Sequence, residues 1–369
     1  MEKGRTNGRS GRRDGRRARA ATSSDVARLA GVSRSAVSRT FTDGASVAPE
    51  TRARVLEAAK TLKYRPNLAA RSLMTRRSMI VALAVSHLEN LFYPLIVQTI
   101  SERLAAVGYR LLLFVTHGEG SHEPLVGELR HFSVDGLILG SSGYAPDLLA
   151  ECAEEGLPVV LMNNAGAAPA AARVVGDNLA GGAQIARFLL AGGHQRMAYL
   201  AGDEGVSSTL ERLEGFAGAL HAAGMEGLRV VPAGFEFDRA LAASRALLAT
   251  PDRPDALFCA NDHMAFAAIQ AARTLGLKVG WDVSIVGFDD VAVAGWPDLA
   301  LTTYAQPAPA FAQAVVDHLL GLIDGAAGGG PVYRVPGELI VRDTARRPAR
   351  GITRQDDGSW RWHDAAALA

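Results

Sequence analysis

Residues 22–64 read TSSDVARLAGVSRSAVSRTFTDGASVAPETRARVLEAAKTLKY. Apolar residues recur at helical spacing in three pieces of this stretch, SSDVARLA, RSAVSRTF and PETRARVLEAAKTLKY, and predict three short helices. Thr22 with Asp25, Ser33 and Pro49 are typical of helix starts. Because each helix offers one apolar stripe, we expect a miniature core built from Val26, Leu29, Val37, Val55, Leu56 and Ala59.

The first two helices are spaced for a close crossing. Ala27 and Ala30 are small enough to let the second helix approach the first. Gly31 can adopt the positive φ that a tight turn requires, and Val32 and Val37 can fill the remaining gap. This spacing favours a helix-turn-helix, in which the second helix lies in the major groove of DNA, although an ordinary three-helix core remains an alternative.

Charge divides the chain into a basic and an acidic part. Residues 1–77 contain 19 Lys or Arg and 6 Asp or Glu, a net charge of +13; the chain totals of 39 and 38 leave 20 and 32, or −12, for residues 78–369. A basic segment gains affinity for a polyanion by releasing counterions, so the N-terminal part is the candidate for nucleic-acid binding. Residues 1–21 lack apolar periodicity, and we expect them to be disordered, either as a solvated tail or as a phosphate-attracting arm.

The second predicted helix has a polar face without an acid, formed by Arg34, Ser35, Ser38 and Arg39. Arginine can bind guanine through two parallel hydrogen bonds, and serine can donate to a phosphate or to a base edge. A face that is merely solvated more often carries both signs of charge. The pattern therefore indicates a DNA-reading helix.

From Ile80 onward, short apolar strands alternate with longer amphipathic segments. This alternation predicts an α/β fold with parallel sheets covered by helices, and about 260 residues require two such sheets. The predicted strands are Ile80–Val85, Leu111–Val115, Gly136–Leu139, Val159–Met162, Met197–Leu200, Ala256–Cys259, Ser284–Gly287 and Leu339–Val341.

The α/β part fits either an enzyme or a binding protein, so its polar residues must decide. It contains no HExxH, GxxxxGK[ST], GxGxxG or GxSxG motif, and we expect no catalytic residues and no cofactor. Polar residues instead follow predicted strands at Ser141–Ser142, Asn163 and Asn261–Asp262, where open α/β sheets gather ligands. Each of these alone is more often a helix cap than a ligand contact, but their recurrence after several strands favours a site.

Bulk composition limits the compartment and the ligands. Two distant cysteines, Cys152 and Cys259, give neither a disulfide framework nor a metal-ligand spacing, which suits a reducing compartment, and we expect no metal site. No apolar run approaches the roughly 20 residues of a membrane span, and no secretory signal is evident. We expect a cytoplasmic protein, associated with the nucleoid and not with a membrane.

The N-terminal pattern DVARLAGVSRSAVSRTF…VAPETRARVLEAAKTLKYRPNLAARSL resembles the DNA-binding domain and hinge of the lactose-repressor (LacI/GalR) family. The resemblance implies that Arg34 and Ser35 read bases and that Arg39 is the inward-reaching arginine of the recognition helix. It also implies a hinge helix that forms on DNA, with Leu73 as a minor-groove wedge; a linker whose leucine packs on the body is the alternative. The predicted DNA contacts are Thr22, Arg34, Ser35, Ser38, Arg39, Asn67, Arg71 and Leu73.

The resemblance continues through VDGLIL, GLPVVLMNN, VVGDNLAGG, GHQRMAYLAG, RLEGFAGAL, ANDHMAFAAI, VSIVGFDD and LTTYAQP, in family order. It implies a periplasmic-binding-protein-like body of two doubly wound parallel-sheet subdomains. The chain would cross between them near Val175–Asn178, Thr303–Pro307 and Pro336. The expected divisions are a tail at 1–21, a helix-turn-helix domain at 22–66, a hinge at 67–77, subdomain 1 at about 78–176 and 307–336, subdomain 2 at about 177–306 and 337–344, and a peripheral tail at 345–369.

The resemblance also implies a small polar effector between the subdomains. Arg212 and Asp262 match the basic and acidic residues that hold such an effector, while Phe92, Tyr93 and Phe237 match aromatic walls that could equally be core residues. An acid is common in the family where this chain has Asn163, which weakens the usual sugar pattern. The predicted effector contacts are Asn90, Phe92, Tyr93, Ser142, Asn163, Arg212, Phe237 and Asp262.

These observations favour a repressor homodimer that binds a near-palindromic operator in double-stranded DNA and responds to a carbohydrate-like effector. A solute-binding protein would need a signal peptide and no helix-turn-helix. A sugar-modifying enzyme would need a catalytic pair, and neither the cysteines nor the 9 histidines form one that we recognise. Both alternatives are therefore disfavoured.

Overall fold

The computed structural model describes residues 21–41, 45–65, 77–86, 88–115, 123–140, 146–166, 168, 171–356 and 358–363. The chain divides into two compact units, Met1–Ser78 and Met79–Ala369. The basic residues 1–20 lie outside the described ranges.

In the described residues of the N-terminal unit, three helices begin at local sequence signals. Thr22 and Asp25 make a reciprocal capping box at the start of α1, and Ser33 accepts a hydrogen bond from the Ala36 amide at the start of α2. Gly31 ends α1 with φ 63°, in the left-handed region that glycine adopts without strain. The helices are α1 (Ser23–Ala30), α2 (Arg34–Thr40) and α3 (Pro49–Thr61).

The core of this unit is built more from alanine than the sequence predicted. The expectation that Leu29 and Leu56 are core residues is wrong, because their exposed fractions are 54% and 47%. The periodicity of the sequence is compatible with either of two neighbouring apolar stripes on one helix. Because the helices cross closely, the stripe with the smaller side chains faces the core. The buried cluster contains Val26, Ala27, Ala30, Val37, Val55, Ala58 and Ala59, with Val32, Phe41, Leu62 and Tyr64 packed against it.

The C-terminal unit begins with an all-parallel sheet of strand order β11-β5-β4-β3-β1-β2. Its strands are β1 (Ile80–Val85), β2 (Arg110–Val115), β3 (Gly136–Leu139), β4 (Val159–Met162), β5 (Ala172–Gly176) and β11 (Tyr333–Val335). Its helices are α4 (Phe92–Ala106), α5 (Glu123–Phe132), α6 (Pro146–Glu154) and α11 (Ala308–Ile323). We refer to this sheet and these helices as subdomain 1.

A second sheet, of order β13-β14-β12-β10-β9-β8-β6-β7, forms subdomain 2. Its strands are β6 (Met197–Ala201), β7 (Arg229–Pro232), β8 (Ala256–Cys259), β9 (Ser284–Asp289), β10 (Thr302–Ala305), β12 (Glu338–Val341), β13 (Ile352–Arg354) and β14 (Trp360–Trp362). Its helices are α7 (Asn178–Ala191), α8 (Ser207–Ala222), α9 (Phe237–Leu248) and α10 (Asp262–Thr274), with a 3-10 turn at Ala292–Gly295. Strands β6 to β10 pair in parallel, and β12, β14 and β13 are added antiparallel.

The chain passes between the subdomains three times, between β5 and α7, between β10 and α11, and between β11 and β12. These passages bring the carboxyl ends of the parallel strands of both sheets to a common cleft. The α/β fold with two parallel-sheet subdomains is as the sequence predicts, although β5, β7, β10 and β11 were not among the predicted strands.

The described part of residues 345–363 is not a peripheral tail, contrary to expectation. Strands β13 and β14 extend the second sheet, and Trp362 is buried with its ring 5.8 Å from that of Phe188. Each strand has only three residues, too few for a period-2 pattern to be read from the sequence.

Within the described ranges, no helix combines the length and apolar character needed to cross a bilayer. Nor do His, Cys, Asp and Glu side chains of that part of the chain cluster in groups of three or more that could hold a metal ion.

Candidate functional site

Helix α2 presents the predicted DNA-reading side chains to solvent. Arg34, Ser35 and Arg39 are exposed and Ser38 is half-buried, whereas Ala36, Val37 and Thr40 face the core. The Ser35 hydroxyl lies 2.8 Å from the Ser33 hydroxyl. Among the residues that the structure describes, no ion pair joins Arg34 or Arg39 to a carboxylate. The two guanidinium groups therefore remain available for phosphate or base contacts.

The C-terminal end of α2 is fixed by the third helix. Arg52 on α3 donates to the carbonyl of Thr40 at 3.1 Å and to that of Ala45 at 3.4 Å. At the other end of the unit, the Thr22 hydroxyl is engaged with the Asp25 carboxylate at 2.7 Å, so its first role is to cap α1. The predicted contacts Asn67, Arg71 and Leu73, like Ser142 of the effector set, lie outside the described residues.

The cleft between the subdomains encloses about 570 Å³, including space open to solvent. Side chains from both subdomains line it, and most of them follow the carboxyl ends of parallel strands. The lining residues are Ser86, Asn90, Phe92, Tyr93, Asn163, Asp203, Val206, Ser208, Arg212, Phe235, Asn261 and Asp289.

Arg212 is the most constrained group of the cleft. Its side chain is 4% exposed, its Nε donates to the Asn178 carboxamide oxygen at 2.9 Å, and a terminal nitrogen donates to the Ala260 carbonyl. Its guanidinium carbon lies 3.7 Å from the ring centre of Phe288, and its other terminal nitrogen is 3.8 Å from Asp289. Such a guanidinium is held in one orientation before any ligand arrives.

Asp289, at the end of β9, is the acid that faces Arg212. The carboxylate accepts a hydrogen bond from the Gln306 amide at 2.7 Å and another from Asn90. Burial raises the pKa of Asp289 to about 6, and the positive charge of Arg212 offsets part of that rise. Its φ of 121° lies in a region that L residues rarely adopt, and such backbone strain often occurs at binding sites.

The structure places two predicted effector residues outside the cleft lining. Asp262 is fully buried and accepts hydrogen bonds from the Val291 amide at 2.9 Å and the Thr303 hydroxyl at 2.6 Å, so it ties loops together. Burial raises the pKa of Asp262 well above its usual range. Phe237 packs edge-on against His263 instead.

Five of the predicted effector residues do meet in the cleft: Asn90, Phe92, Tyr93, Asn163 and Arg212. Phe92 is nearly buried and packs on Phe311, so its role is mainly in the core. The cleft instead contains Phe235 and Asp289, an aromatic residue and an acid of the kinds that the resemblance implied at Phe237 and Asp262. Asp289 lies two residues after the predicted strand Ser284–Gly287 and ends the observed β9, so the strand-end rule that singled out Asn261 could have found it. The lining residues absent from the predicted effector contacts are Ser86, Asp203, Val206, Ser208, Phe235, Asn261 and Asp289. Of these, the sequence had singled out Asn261 by its position after a predicted strand.

Two buried polar atoms of the cleft have no hydrogen-bond partner among the described residues. Asn261 caps α10 by accepting from the Met264 amide at 2.9 Å, which leaves its Nδ2 donor unpaired. Asn163 has an unpaired Oδ1 acceptor. Because buried polar atoms are seldom left unpaired, a donor and an acceptor in one cleft indicate a polar ligand.

Comparison with known families assigns both units. Residues 22–67 match the family described as bacterial regulatory proteins, lacI family. Residues 186–345 match a periplasmic binding protein-like domain.

Individual relatives extend over most of the chain. The HTH-type transcriptional regulator CelR of Thermobifida fusca is 36% identical over 328 residues, covering 86% of this chain and 96% of that protein. The HTH-type transcriptional repressor PurR of Photobacterium profundum is 30% identical over 333 residues, covering 88% and 99%. The structure of the lac repressor dimer bound to operator and the anti-inducer ONPF superposes with TM-score 0.79 at 29% identity, covering 88% of this chain and 98% of that chain. A CelR–cellobiose complex superposes with TM-score 0.67 at 33% identity, covering 88% of this chain and 100% of that chain. The chain belongs to the LacI family of bacterial transcriptional regulators and is not an enzyme.

Proposed function

We propose that this regulator is a sequence-specific repressor whose operator affinity is controlled by a neutral, carbohydrate-like effector bound in the cleft. The unpaired donor of Asn261 and acceptor of Asn163 carry this proposal. A sugar hydroxyl can accept from the first and donate to the second, because a hydroxyl does both. Arg212 and Asp289 would add charge-assisted hydrogen bonds to neighbouring hydroxyls.

The charges of the cleft favour a neutral effector. The lining contains two carboxylates, Asp203 and Asp289, and one guanidinium, Arg212, whose donors already serve Asn178 and Ala260. A sugar phosphate or a sugar acid would bring a further negative charge to a site whose described lining has two carboxylates and one guanidinium. Tyr93 and Phe235 offer aromatic surface to the apolar face of a sugar ring. The cellobiose complex of the relative CelR is in line with this class.

For DNA, we propose that Arg34 and Ser35 read base edges, Arg39 reaches toward the groove, and Thr22 and Ser38 contact the backbone. Asn67 and Arg71 would order the hinge, and Leu73 would enter the minor groove. Two chains would pair as a homodimer on a near-palindromic operator in the cytoplasm, at the nucleoid, as the dimeric lac repressor–operator complex suggests.

Effector and DNA would be coupled through the angle between the subdomains, which would set the separation of the two hinges in the dimer. To change operator affinity tenfold, the effector must prefer one arrangement by about 1.4 kcal/mol. Gene repression would then respond to sugar supply.

The test is a thermal-shift and calorimetric titration of the full chain with cellobiose, glucose, glucose 6-phosphate, gluconate and guanine. We expect a neutral sugar to raise the melting temperature and the charged analogues to fail. Asn261→Ala should weaken sugar binding, whereas Gln98→Ala on the exposed face of α4 serves as a control. Binding of guanine or of the phosphate ester alone would refute the neutral-sugar proposal.

A further inference from the structure

An ion pair joins the two subdomains beside the effector cleft. Arg334 lies on β11 of subdomain 1, and Glu211 lies on α8 of subdomain 2. The guanidinium donates to both carboxylate oxygens, at 3.1 and 2.6 Å. This two-fold geometry is the most specific that an arginine and a carboxylate can form. The Glu211 side chain is only 16% exposed, so water screens the pair less than a surface pair.

The same carboxylate is connected to the effector site by a single buried amide. Asn178 is fully buried at the start of α7, and its Nδ2 donates to Glu211 at 3.0 Å. Its Oδ1 accepts from Arg212 Nε at 2.9 Å. A continuous chain of hydrogen bonds therefore runs from Arg334 through Glu211 and Asn178 to the guanidinium of the cleft.

Helix α8 carries both sets of contacts on adjoining faces. Ser208 and Arg212, four residues apart, line the cleft. Ser207 and Glu211, also four residues apart, contact subdomain 1, since Ser207 accepts from the Ala165 amide at 2.9 Å. Residues at this spacing lie on one face of a helix. Any rotation of α8 that adjusts the cleft contacts must also move the contacts to subdomain 1.

Helix α8 is also packed directly on α7. A Cβ at Gly215 would lie 2.0 Å from the Leu179 carbonyl, so the backbones touch here and only glycine fits. Helix α7 begins immediately after the first passage between the subdomains. The two helices thus adjoin the connection about which the subdomains would turn.

We propose that Arg334 and Glu211 form a latch that holds the subdomains in the arrangement seen here, and that Asn178 couples this latch to Arg212. The coupling rests on the proposed effector site; the latch itself does not. When an effector draws Arg212 away from Asn178, the Asn178 Oδ1 loses the hydrogen bond that it accepts from Arg212. The side chain is then held less firmly, and the hydrogen bond from its Nδ2 to Glu211 is weakened. Arg334 and Glu211 are therefore positioning residues that set the response to effector without touching it.

The first experiment measures the latch without any effector. Spin labels at Asp147→Cys in subdomain 1 and Glu226→Cys in subdomain 2, both exposed positions, report the distance across the cleft in the full chain. The native Cys152 and Cys259 are buried and should not be labelled. We expect Arg334→Gln and Glu211→Gln each to shift the distance distribution toward wider separation, and the double variant to shift it no further.

Arg229→Gln is the matched control. Arg229 has the same exposure as Arg334, 39%, but pairs with Asp252 inside subdomain 2, so its loss should leave the distance unchanged. Should a single variant fold poorly, the charge exchange Glu211→Arg with Arg334→Glu should restore the native distribution. Distances in both single variants equal to those of wild type and the control would overturn the latch.

The second experiment tests the coupling with cellobiose as the probe. Arg334→Gln should change cellobiose affinity about two- to fivefold, the range for a partly exposed ion pair. In an Asn178→Ala background the same substitution should have a smaller effect on that affinity, because only the change in subdomain separation remains. Equal effects in both backgrounds would refute the coupling. Failure of wild type to bind cellobiose would count against the proposed effector and leave the distance measurements as the test of the latch.

Discussion

The arginines of the two units are held in opposite ways. Arg34 and Arg39 on the DNA-reading helix are exposed and, within the described chain, without a carboxylate partner. Arg212 in the cleft is 4% exposed and already contacts Asn178, Ala260 and the face of Phe288. Under the proposed DNA contacts, the charge that complements the first pair would come from the nucleic acid, whereas the complement of Arg212 is part of the fold.

This difference predicts where energy is lost when each arginine is removed. An exposed arginine contributes little to folding and acts mainly when its partner arrives. A buried arginine that faces a buried carboxylate supports the folded state, and its removal leaves an uncompensated charge. Removing Arg34 or Arg39 should therefore leave the helix-turn-helix folded but impair its recognition of DNA. Removing Arg212 should reduce both the stability of the fold and the binding of effector.

The largest effect is expected for Arg212→Ala. Removing the guanidinium leaves the Asp289 carboxylate without its counter-charge and the Asn178 carboxamide oxygen without its donor in a buried site, and should lower the free energy of unfolding by about 3–5 kcal/mol. Urea denaturation of the full chain measures this loss. Arg229→Ala, which removes an exposed ion pair, is the control and should cost under about 1 kcal/mol. Equal losses in the two variants would contradict the contrast between buried and exposed arginines.

Arg34→Ala should leave stability unchanged and cost about 1–3 kcal/mol of base discrimination. The measurement is selection of binding sites from a random DNA pool by wild type and variant. Arg28→Ala is a matched control, because Arg28 is exposed on α1 and pairs with Asp25. If Arg34→Ala weakens binding equally for all sequences, Arg34 contacts phosphate and the base-reading assignment fails.

Short-range sequence patterns were sufficient to predict much of the structure of the N-terminal unit. The Thr22–Asp25 capping box, the Ser33 cap and the Gly31 turn each depend on residues within four positions of one another. The core was less accessible, since Leu29 and Ala30 are adjacent in sequence and only the helix crossing decides which is buried. Sequence periodicity cannot make that choice between neighbouring stripes.

In the second unit, sequence indicated the ends of strands but not the direction of each side chain. Asp262 and Asp289 both follow or end strands, yet Asp262 points into the loop of Val291 and Asp289 points into the cleft. That distinction depends on the packing of α10 against β9, which involves residues far apart in the chain. The Arg334–Glu211 pair, separated by 123 residues, was equally beyond a local pattern.

Acidification should weaken effector binding through Asp289. Its pKa is about 6 in the folded chain, so at pH 5 the carboxyl is mostly protonated and cannot accept hydroxyl hydrogen bonds as an anion. If only the carboxylate binds, affinity should fall about tenfold between pH 7.5 and pH 5. Calorimetric titration with the neutral sugar that binds measures this, and Asp289→Asn should show weak, pH-independent binding.

The stability of the ligand-free chain should respond to Asp289 with the opposite sign. Because its folded pKa lies above the unfolded value of about 3.9, protonation favours the folded state, and this contribution is lost as the pH rises through about 6. Comparing wild type with Asp289→Asn isolates it from other groups. On acidification we expect the effector affinity to fall while the contribution of Asp289 to stability rises. If both fall in wild type and neither trend is present in Asp289→Asn, the raised pKa assigned to Asp289 is contradicted.

The smallest effect concerns the basic residues 1–21, which contain eight Lys or Arg and two Asp or Glu. If these cations reach phosphates, removing the segment should reduce the slope of log affinity against log salt by about 0.9 for each phosphate that is no longer neutralised. Base discrimination should be retained, because counterion release carries no sequence information. Binding of full and shortened chains to specific and random duplexes across a salt series separates the two effects. An unchanged slope would mean that residues 1–21 neutralise no phosphates. The phosphate contacts of the N-terminal unit would then come from the helix-turn-helix, including the exposed arginines of α2.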